Sequence, residues 1–582
     1  MRRLRTLALV VAVTAALFPL TVAGGARASD GARAADGFTF YGSGWGHGLG
    51  MSQWGAYGLA KDGWRHERIL EHFYSGTTVE ILPKPPGDIR VGLTSGVRAI
   101  HLTAKAGPVR LWVREPLTGT AVGKIPGGQT WSVEAADDGY RVLDAAGAVV
   151  GDRTWGGPGF DLFATYTGEG ARVIVPEGGA TYNRGVLEFN LTNCANGCRM
   201  RLIATLPFEE YLLGIGEVPS SWPMEALRTQ AVAARSFALY RMRRSGLRAD
   251  CNCHVQDGAN DQVYVGWDKE GGTDGARWSK AVTSTAKEIV SYAGKVALTV
   301  FTASDGGHTE DLPVQWGTPL ELYPYLAGVC DPGEYTSANP WTDWSRALSP
   351  AQVTSALVPY TGDIGSVTGF GRATRGVSGR IDEIVVRGEA GEATVSGSEL
   401  RSALSLPDDR VWIDVDRNVL GPIRIAYDDL MCRPGVPTSA LKILPGGSRQ
   451  AFQDGAIYRN GGIDLTVWVH GAIYDEYLGV GGAAGVLGLP VSDRLGTAAD
   501  RRGGCAGCGR MDFADGRIYW SPGIGAFALW GAVLDAYLAR GAAGGSLGMP
   551  TSRVQEHPNG GTSATFERGM ILCPATGACT VS

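Results

Sequence analysis

The chain has 582 residues, 53 Lys and Arg against 58 Asp and Glu, 44% apolar residues and 86 glycines, about twice the usual ~7% share of glycine. Gly and Pro together make about 20% of the chain, below the ~25–30% of low-complexity disorder, so a folded protein of about three to four domains is expected. The near-balanced charge, with no Lys/Arg block beyond the N-terminal segment, argues against a nucleic-acid partner.

Arg2, Arg3 and Arg5 precede an uncharged apolar run from Leu7 to Ala23 and the small-residue site Ala26-Arg27-Ala28. This is the form of a secretory signal peptide over 1–28. The residues after Arg2-Arg3 do not fit a twin-arginine signal, so general secretion is expected. No later stretch reaches the ~18 uncharged apolar residues of a bilayer span, and a secreted product follows.

Phe38 to Tyr41 reads as a short strand entering the loop Gly42-Ser-Gly-Trp-Gly-His-Gly-Leu-Gly50, whose alternate glycines permit left-handed backbone and expose one imidazole. Neither G-x-G-x-x-G nor a terminal Gly-Lys-Ser/Thr is present, so a phosphate cradle is not expected. Helices are expected over 52–61 and 66–74, then a mostly antiparallel sheet from about 88 to 206. Ser220-Ser221, Pro223 and Glu225 mark the start of the longest helix, Glu225 to Arg244. Its small face, Leu227, Ala231, Ala234 and Ala238, reads as core.

Cysteines fall in close pairs: Cys194 and Cys198, Cys251 and Cys253, Cys505 and Cys508, Cys573 and Cys579. Export favours disulfides. Cys251-x-Cys253-His254, with Asp261 as a further ligand, is also a candidate structural zinc site.

The tail repeats with a 60-residue offset: Gly471-Ala472-Ile473 returns as Gly531-Ala532-Val533, and Leu487-Gly-Leu-Pro490 as Leu547-Gly-Met-Pro550. Phe-x-x-Gly-x-Ile begins at Phe452, Phe513 and Phe566. Two full units and a partial one are expected over 450–582, after a Pro/Gly/Ser-rich linker at 433–448.

Three segments together resemble the SpoIID/LytB family of bacterial cell-wall proteins. They are Leu206-Pro-Phe-Glu-Glu-Tyr through Glu217-Val-Pro to Gln230-Ala-Val-Ala-Ala-Arg235-Ser-Phe-Ala238, then Phe301-Thr-Ala-Ser304-Asp-Gly-Gly307-His-Thr-Glu310, and Gly44-Trp-Gly-His47-Gly-Leu-Gly-Met-Ser-Gln53-Trp-Gly-Ala56. The tail similarly resembles LGFP repeats of exported actinomycete proteins. The resemblance implies an α+β fold: a mostly antiparallel SpoIID-like region over 37–430, with one long helix, followed by a repeat tail. In the family the Trp-Gly-His-Gly segment usually comes last. Here it leads, as the piece 37–82 ahead of the remainder 88–430. A permuted domain with neighbouring ends would still seat Phe38 to Gly50 beside the strand after Leu406. His308 stands where Arg is common.

The resemblance implies lytic cleavage of peptidoglycan glycan strands between MurNAc and GlcNAc, with Glu217 as catalytic acid and, in the SpoIID branch, a preference for strands stripped of stem peptides. A hydrolase normally needs two carboxylates. A transglycosylase manages with one that first protonates the leaving oxygen and then accepts the C6 hydroxyl proton. Such an acid must be neutral near pH 7, which burial near Ile215, Val218 and Trp222 would favour and the following helix start would oppose. If Glu217 met the amides of Trp222 to Met224 it would be a helix cap instead.

Candidate substrate contacts are His47, Gln53, Gln230, Arg235, Ser304, Gly306 and Gly307. His47 reads equally as a turn residue packed on Trp45 or Trp54. Gln230 and Arg235 lie about 140° apart on a helix, so one of them is structural, and Arg235 is the better holder of an anionic lactyl group. No cofactor is required for this chemistry. The LytB branch supplies the alternative, a non-catalytic amidase enhancer that binds wall or a cell-wall amidase. The expected partners are peptidoglycan glycan and, through the tail, the cell envelope.

Overall fold

A computed structural model describes residues 37–157, 159–166, 168, 170–496 and 507–582. The expected signal peptide and Cys505 lie outside the described residues. Among the described residues no helix is long and apolar enough to cross a membrane.

The architecture is α+β. Residues 88–207 form two sheets rather than the one expected. In the first, antiparallel strands Asp88–Val97, Arg199–Pro207, Val186–Thr192, Leu162–Tyr166, Val109–Val113 and Thr120–Ile125 are joined at one edge by the parallel strand Val255–Gln256. The second contains Ala99–Ala106, Thr130–Ala136, Gly139–Leu143, Arg172–Val175 and Ala180–Tyr182. Alternation of apolar and polar residues puts Ile100, Leu102 and Ala104 on the buried side of Ala99–Ala106, and they share a core with Leu111, Leu187 and Phe189.

The long helix runs Met224–Ser245. Leu227, Ala231, Ala234 and Ala238 all lie in the same buried core, as their spacing predicts. Its N-cap is Pro223, without a side-chain capping bond, so the expected role of Ser220-Ser221 as cap is corrected: the serines lie too far upstream of the first free amides. By contrast, Ser52 does cap the helix Gln53–Lys61, its hydroxyl accepting Gly55 N at 3.0 Å. His66–Phe73 forms the second short helix.

The strand Phe38–Gly42 pairs antiparallel with Trp344–Leu348 on one side and Val411–Ile413 on the other, in register Phe40 to Ile413 and Gly42 to Val411. The N-terminal strand is thus seated beside the strand after Leu406. Disulfides Cys194–Cys198, Cys251–Cys253 and Cys573–Cys579 join close pairs, and Cys330–Cys432 spans 102 residues.

Three four-stranded sheets make the tail. Helices Gly471–Gly479 and Gly531–Ala539 stand 60 residues apart. In each, a tyrosine hydroxyl donates to the glycine carbonyl of the Leu-Gly-x-Pro turn, Tyr477 to Gly488 and Tyr537 to Gly548, both at 2.6 Å. The proline of that turn bridges the Phe of Phe-x-x-Gly-x-Ile, Pro490 to Phe513 and Pro550 to Phe566. The two repeated motifs therefore form one contact. The stretch 433–448 is not a free linker, because it contains the strand Lys442–Leu444, which turns through Pro445-Gly446 into Gly447–Ala451. The same Pro/Gly composition that marks linkers also marks tight hairpins.

Candidate active site

Glu217 sits in the segment between the helix Phe208–Leu213 and the long helix. Gly216 N donates to Val263 O at 2.9 Å, and Ile215 bridges Tyr264, so a short antiparallel pairing fixes the backbone. Val263 N returns a bond to Glu217 Oε1 at 2.7 Å, and Gln53 Nε2 approaches Oε2 at 3.5 Å. Neither carboxyl oxygen accepts from the amides of the long helix, so Glu217 does not cap it. Burial pushes the Glu217 carboxyl up to about 7; Asp257 adds to this, against the pull of Val263 N, Gln53 and Lys269.

Glu217 lines a cavity of about 410 Å³ together with Trp45, His47, Gln53, Trp316 and Arg401. This is within the usual range for a small-molecule site. Trp45 is 43% exposed and Trp316 46%, offering two aromatic faces at the rim. Trp45 rests on Trp341 with ring centroids 4.1 Å apart.

Glycine is required where the loop approaches its neighbours. Gly46 has φ 129°, and a Cβ there would lie 1.9 Å from Thr302 Oγ1; Gly48 has φ 68°, and a Cβ would lie 2.1 Å from the Arg380 guanidinium carbon. Arg380 is fully buried. It donates to Asp408 Oδ2 and Asp305 O at 2.9 Å and to His308 O and Ser378 Oγ at 3.0 Å. This cation holds three chain segments against the loop.

His47 faces the cavity with Nδ1 accepting Leu49 N at 3.0 Å, which places its proton on Nε2. Its ring packs 5.4 Å from Trp316, not on Trp45 or Trp54. Burial, with Arg401 and Arg380 adding to it, lowers the imidazole to about 4, so it is neutral at pH 7. Gln53 bridges Glu217 and Gln230, donating to Gln230 Oε1 at 3.3 Å. Gln230 itself is buried behind Gln53.

Four of the expected substrate contacts lie elsewhere. Arg235 is fully buried, donates to Glu209 through Nε and Nη2 at 3.0 Å, and binds Val282 O and Glu288 O. Its fork is spent on packing, so the reading of it as the anion holder is corrected. Ser304 is buried with its hydroxyl donated to Glu334, Gly306 N also donates to Glu334, and Gly307 packs on Arg424. They support the loop from beneath, since Ser304 and Trp45 exchange backbone bonds at 2.9 and 3.1 Å. His308 is half-buried, and desolvation lowers its imidazole to about 4.

The candidate zinc ligands are committed separately. Cys251 and Cys253 are bonded to each other, His254 Nδ1 accepts Arg90 N at 3.0 Å, and Asp261 is paired with Arg241 and Arg248 at 2.7 and 2.6 Å. Two other groups of described residues could hold a cation: His66, Glu67 and Glu225, and the buried Asp305, Asp331 and Glu334.

The sequence reading missed Trp316, Arg401, Asp257 and Lys269. Lys269 Nζ donates to Val218 O, and burial pushes its amine down to about 8. No local spacing links these residues to Glu217. Folding alone brings them there.

These features define a domain in which one half-buried acid, raised to about 7, faces an aromatic-rimmed cavity completed by a glycine-rich loop distant in sequence. A family model described as Stage II sporulation protein (SpoIID) matches residues 196–292, which include Glu217, and an LGFP repeat model matches 435–485 and 487–545. Residues 196–292 are thus similar to the SpoIID family, and the tail is similar to LGFP repeats.

Three curated relatives are similar to it. An uncharacterised protein of Brachyspira hyodysenteriae is 33% identical over 191 residues, covering 32% of this chain and 48% of that protein. The amidase enhancer of Bacillus subtilis is 30% identical over 145 residues, covering 25% and 17%. Stage II sporulation protein D of Bacillus subtilis is 28% identical over 217 residues, covering 35% and 59%. The matches span less than two thirds of each relative's own length.

Proposed function

We propose that the protein is an exported peptidoglycan lytic transglycosylase that cuts glycan strands between MurNAc and GlcNAc and is held at the envelope by its LGFP repeats. One observation carries this reading: Glu217 is the single carboxyl lining the cavity that is free to move a proton. The other lining carboxylate, Asp261, is fixed by two arginines and by Gln256 N at 2.9 Å. A two-carboxylate hydrolase lacks its second member here, whereas a one-acid transglycosylase does not.

In this mechanism neutral Glu217 gives its proton to the glycosidic oxygen as the bond to C1 of MurNAc breaks. The carboxylate that remains accepts the proton of the same sugar's C6 hydroxyl, whose oxygen closes on C1 to form the 1,6-anhydro ring. The acid is regenerated and no water is consumed. Val263 N and Gln53 hold the carboxyl in place, and the Trp45 and Trp316 faces suit sugar rings.

On the same reading the domain is circularly permuted, which is supported by the pairing of Phe38–Gly42 with Val411–Ile413, since it seats the loop beside the strand after Leu406. A second reading, supported by the similarity to the amidase enhancer, keeps the cavity as a glycan-binding site without cleavage. Incubation of the protein with peptide-free glycan strands separates them. Mass spectrometry should find 1,6-anhydro ends. Ordinary reducing ends would indicate hydrolysis, and intact strands would favour the enhancer.

A further inference from the structure

Beneath the glycine-rich loop three carboxyl groups meet without a counter-charge. Asp305, Asp331 and Glu334 are all fully buried, and each offers an oxygen within 4.8 Å of those of the other two. Among the described residues none of the three takes part in an ion pair. Two buried arginines lie alongside, but Arg424 is paired with Asp428 and Arg380 with Asp408. Here they reach only main-chain carbonyls, Arg424 that of Asp331 at 3.4 Å and Arg380 that of Asp305 at 2.9 Å.

The carboxyl oxygens divide into two sets. Asp305 Oδ1 accepts Gly307 N at 2.7 Å and Asp331 Oδ1 accepts Gly333 N at 2.9 Å, so each aspartate is oriented by the turn that follows it. Glu334 Oε1 accepts Asn339 Nδ2 at 2.8 Å, Gly306 N at 3.2 Å and the Ser304 hydroxyl, while Oε2 accepts Ser52 Oγ at 2.7 Å. The remaining two atoms, Asp305 Oδ2 and Asp331 Oδ2, are buried and meet no donor. Gly55 leaves the second of them its space, since a Cβ there would lie 1.8 Å from Asp331 Oδ2. Buried charges are paired or coordinate metals, because removing them from water unpaired is costly. This cluster offers oxygen alone, the donor set of a hard cation and not of zinc or copper. Oxygens up to 4.8 Å apart suit Ca2+, which sits at about 2.3–2.6 Å from each and accepts an irregular shell; Mg2+ requires about 2.0–2.1 Å and a near-ideal octahedron.

We propose that Asp305, Asp331 and Glu334 form a structural calcium site that clamps the support of the cavity, with Asp305 Oδ2, Asp331 Oδ2 and one Glu334 oxygen as its protein ligands. Second carboxyl oxygens or water complete the shell. The ion joins three segments. One is the Ser304–Gly307 turn, which carries Trp45 through paired backbone bonds. Another is the turn that follows Cys330 of the Cys330–Cys432 disulfide. Through Glu334 and Ser52 the third is the start of the helix Gln53–Lys61, whose Gln53 approaches Glu217. The ion takes no part in the proposed bond cleavage, and the site stands whether or not the cavity cuts glycan.

The test uses the full chain, freed of metal with a chelator and titrated with Ca2+ alone. Calorimetry should show one saturable equivalent that Asp305→Asn and Asp331→Asn each weaken by at least about 100-fold. The asparagine carbonyl keeps the bond from Gly307 N or Gly333 N, so the turns are retained. Thermal midpoints give an independent readout. In chelator each variant lacks a buried charge without a partner and should melt at or above the parent. With calcium at about 100 times the parent's Kd, the parent should gain about 3–6 °C and overtake both variants, which should not respond. Magnesium at the same concentration should give a smaller shift, and an equal or larger one would overturn the assignment to calcium. A parent that binds no equivalent, or variants that outlast it in calcium as they do in chelator, would overturn the site. So would a calcium response that survives both substitutions, which would place the ion at another group such as His66, Glu67 and Glu225.

Discussion

Replacement of Glu217 by Gln is expected to reduce glycan cleavage by at least ~10²–10⁴-fold, the usual contribution of a positioned acid, and at the same time to stabilise the domain above neutral pH. The two effects share one cause. Burial holds the carboxyl at about 7 in the folded chain against an ordinary 4.5, so the native state binds this proton more tightly than the unfolded one does. The associated stability is complete below about 4.5 and is lost as pH rises through about 7, a total of about 3 kcal/mol. Glutamine keeps the bond from Val263 N and carries no charge to bury. At pH 8 the variant should exceed the parent by about 2 kcal/mol, allowing about 1 kcal/mol for the imperfect fit of two facing amides at Gln53, and at pH 4, where only that misfit remains, it should fall below the parent by about 1 kcal/mol. Denaturant unfolding at both values measures the difference. If the parent cleaves glycan as proposed, its kcat/KM should fall about tenfold per pH unit above about 7, as the acid loses its proton.

Arg380→Ala is expected to cost about 3–5 kcal/mol, the range for stripping one partner from a buried ion pair. Asp408 is fully buried opposite it, and the carbonyls of Asp305 and His308 would lose their donors together. The damage should reach the cavity, because the guanidinium packs directly on Gly48 beside His47. Equilibrium unfolding gives the stability. A companion Arg380→Met/Asp408→Asn variant, which removes both charges of the closer pair and leaves only Asp409 without its cation, should recover part of it. If Arg380→Ala unfolds at the denaturant concentration of the parent, this arginine is not the clasp described here.

Much of the fold was legible because it is local. The helix expected over 52–61 is present as Gln53–Lys61, the 4-3-4 spacing from Leu227 to Ala238 gave the packed face, and the 60-residue offsets gave the tail units. Glu217 was found through its motif, and the physical demand placed on it, a neutral carboxyl that does not cap the helix, agrees with its surroundings. What escaped were relations between distant segments. Arg235 has the charge and fork of an anion holder, but Glu209, 26 residues earlier, takes both. Ser304 and Gly307 lie in a motif next to the cavity, yet their side of the loop faces Glu334 and Arg424. The composition of 433–448 was ambiguous in principle, since Pro and Gly serve hairpins and linkers alike.

The central claim is that Glu217 keeps its carboxylic acid form up to the neutral range, as the proposed proton transfer requires. Infrared difference spectra of the parent minus Glu217→Gln, recorded between pH 4 and 9, isolate its C=O stretch. The account predicts a protonated band that disappears with a midpoint of about 7; a midpoint near 4.5, the value of an ordinary solvated glutamate, would contradict it.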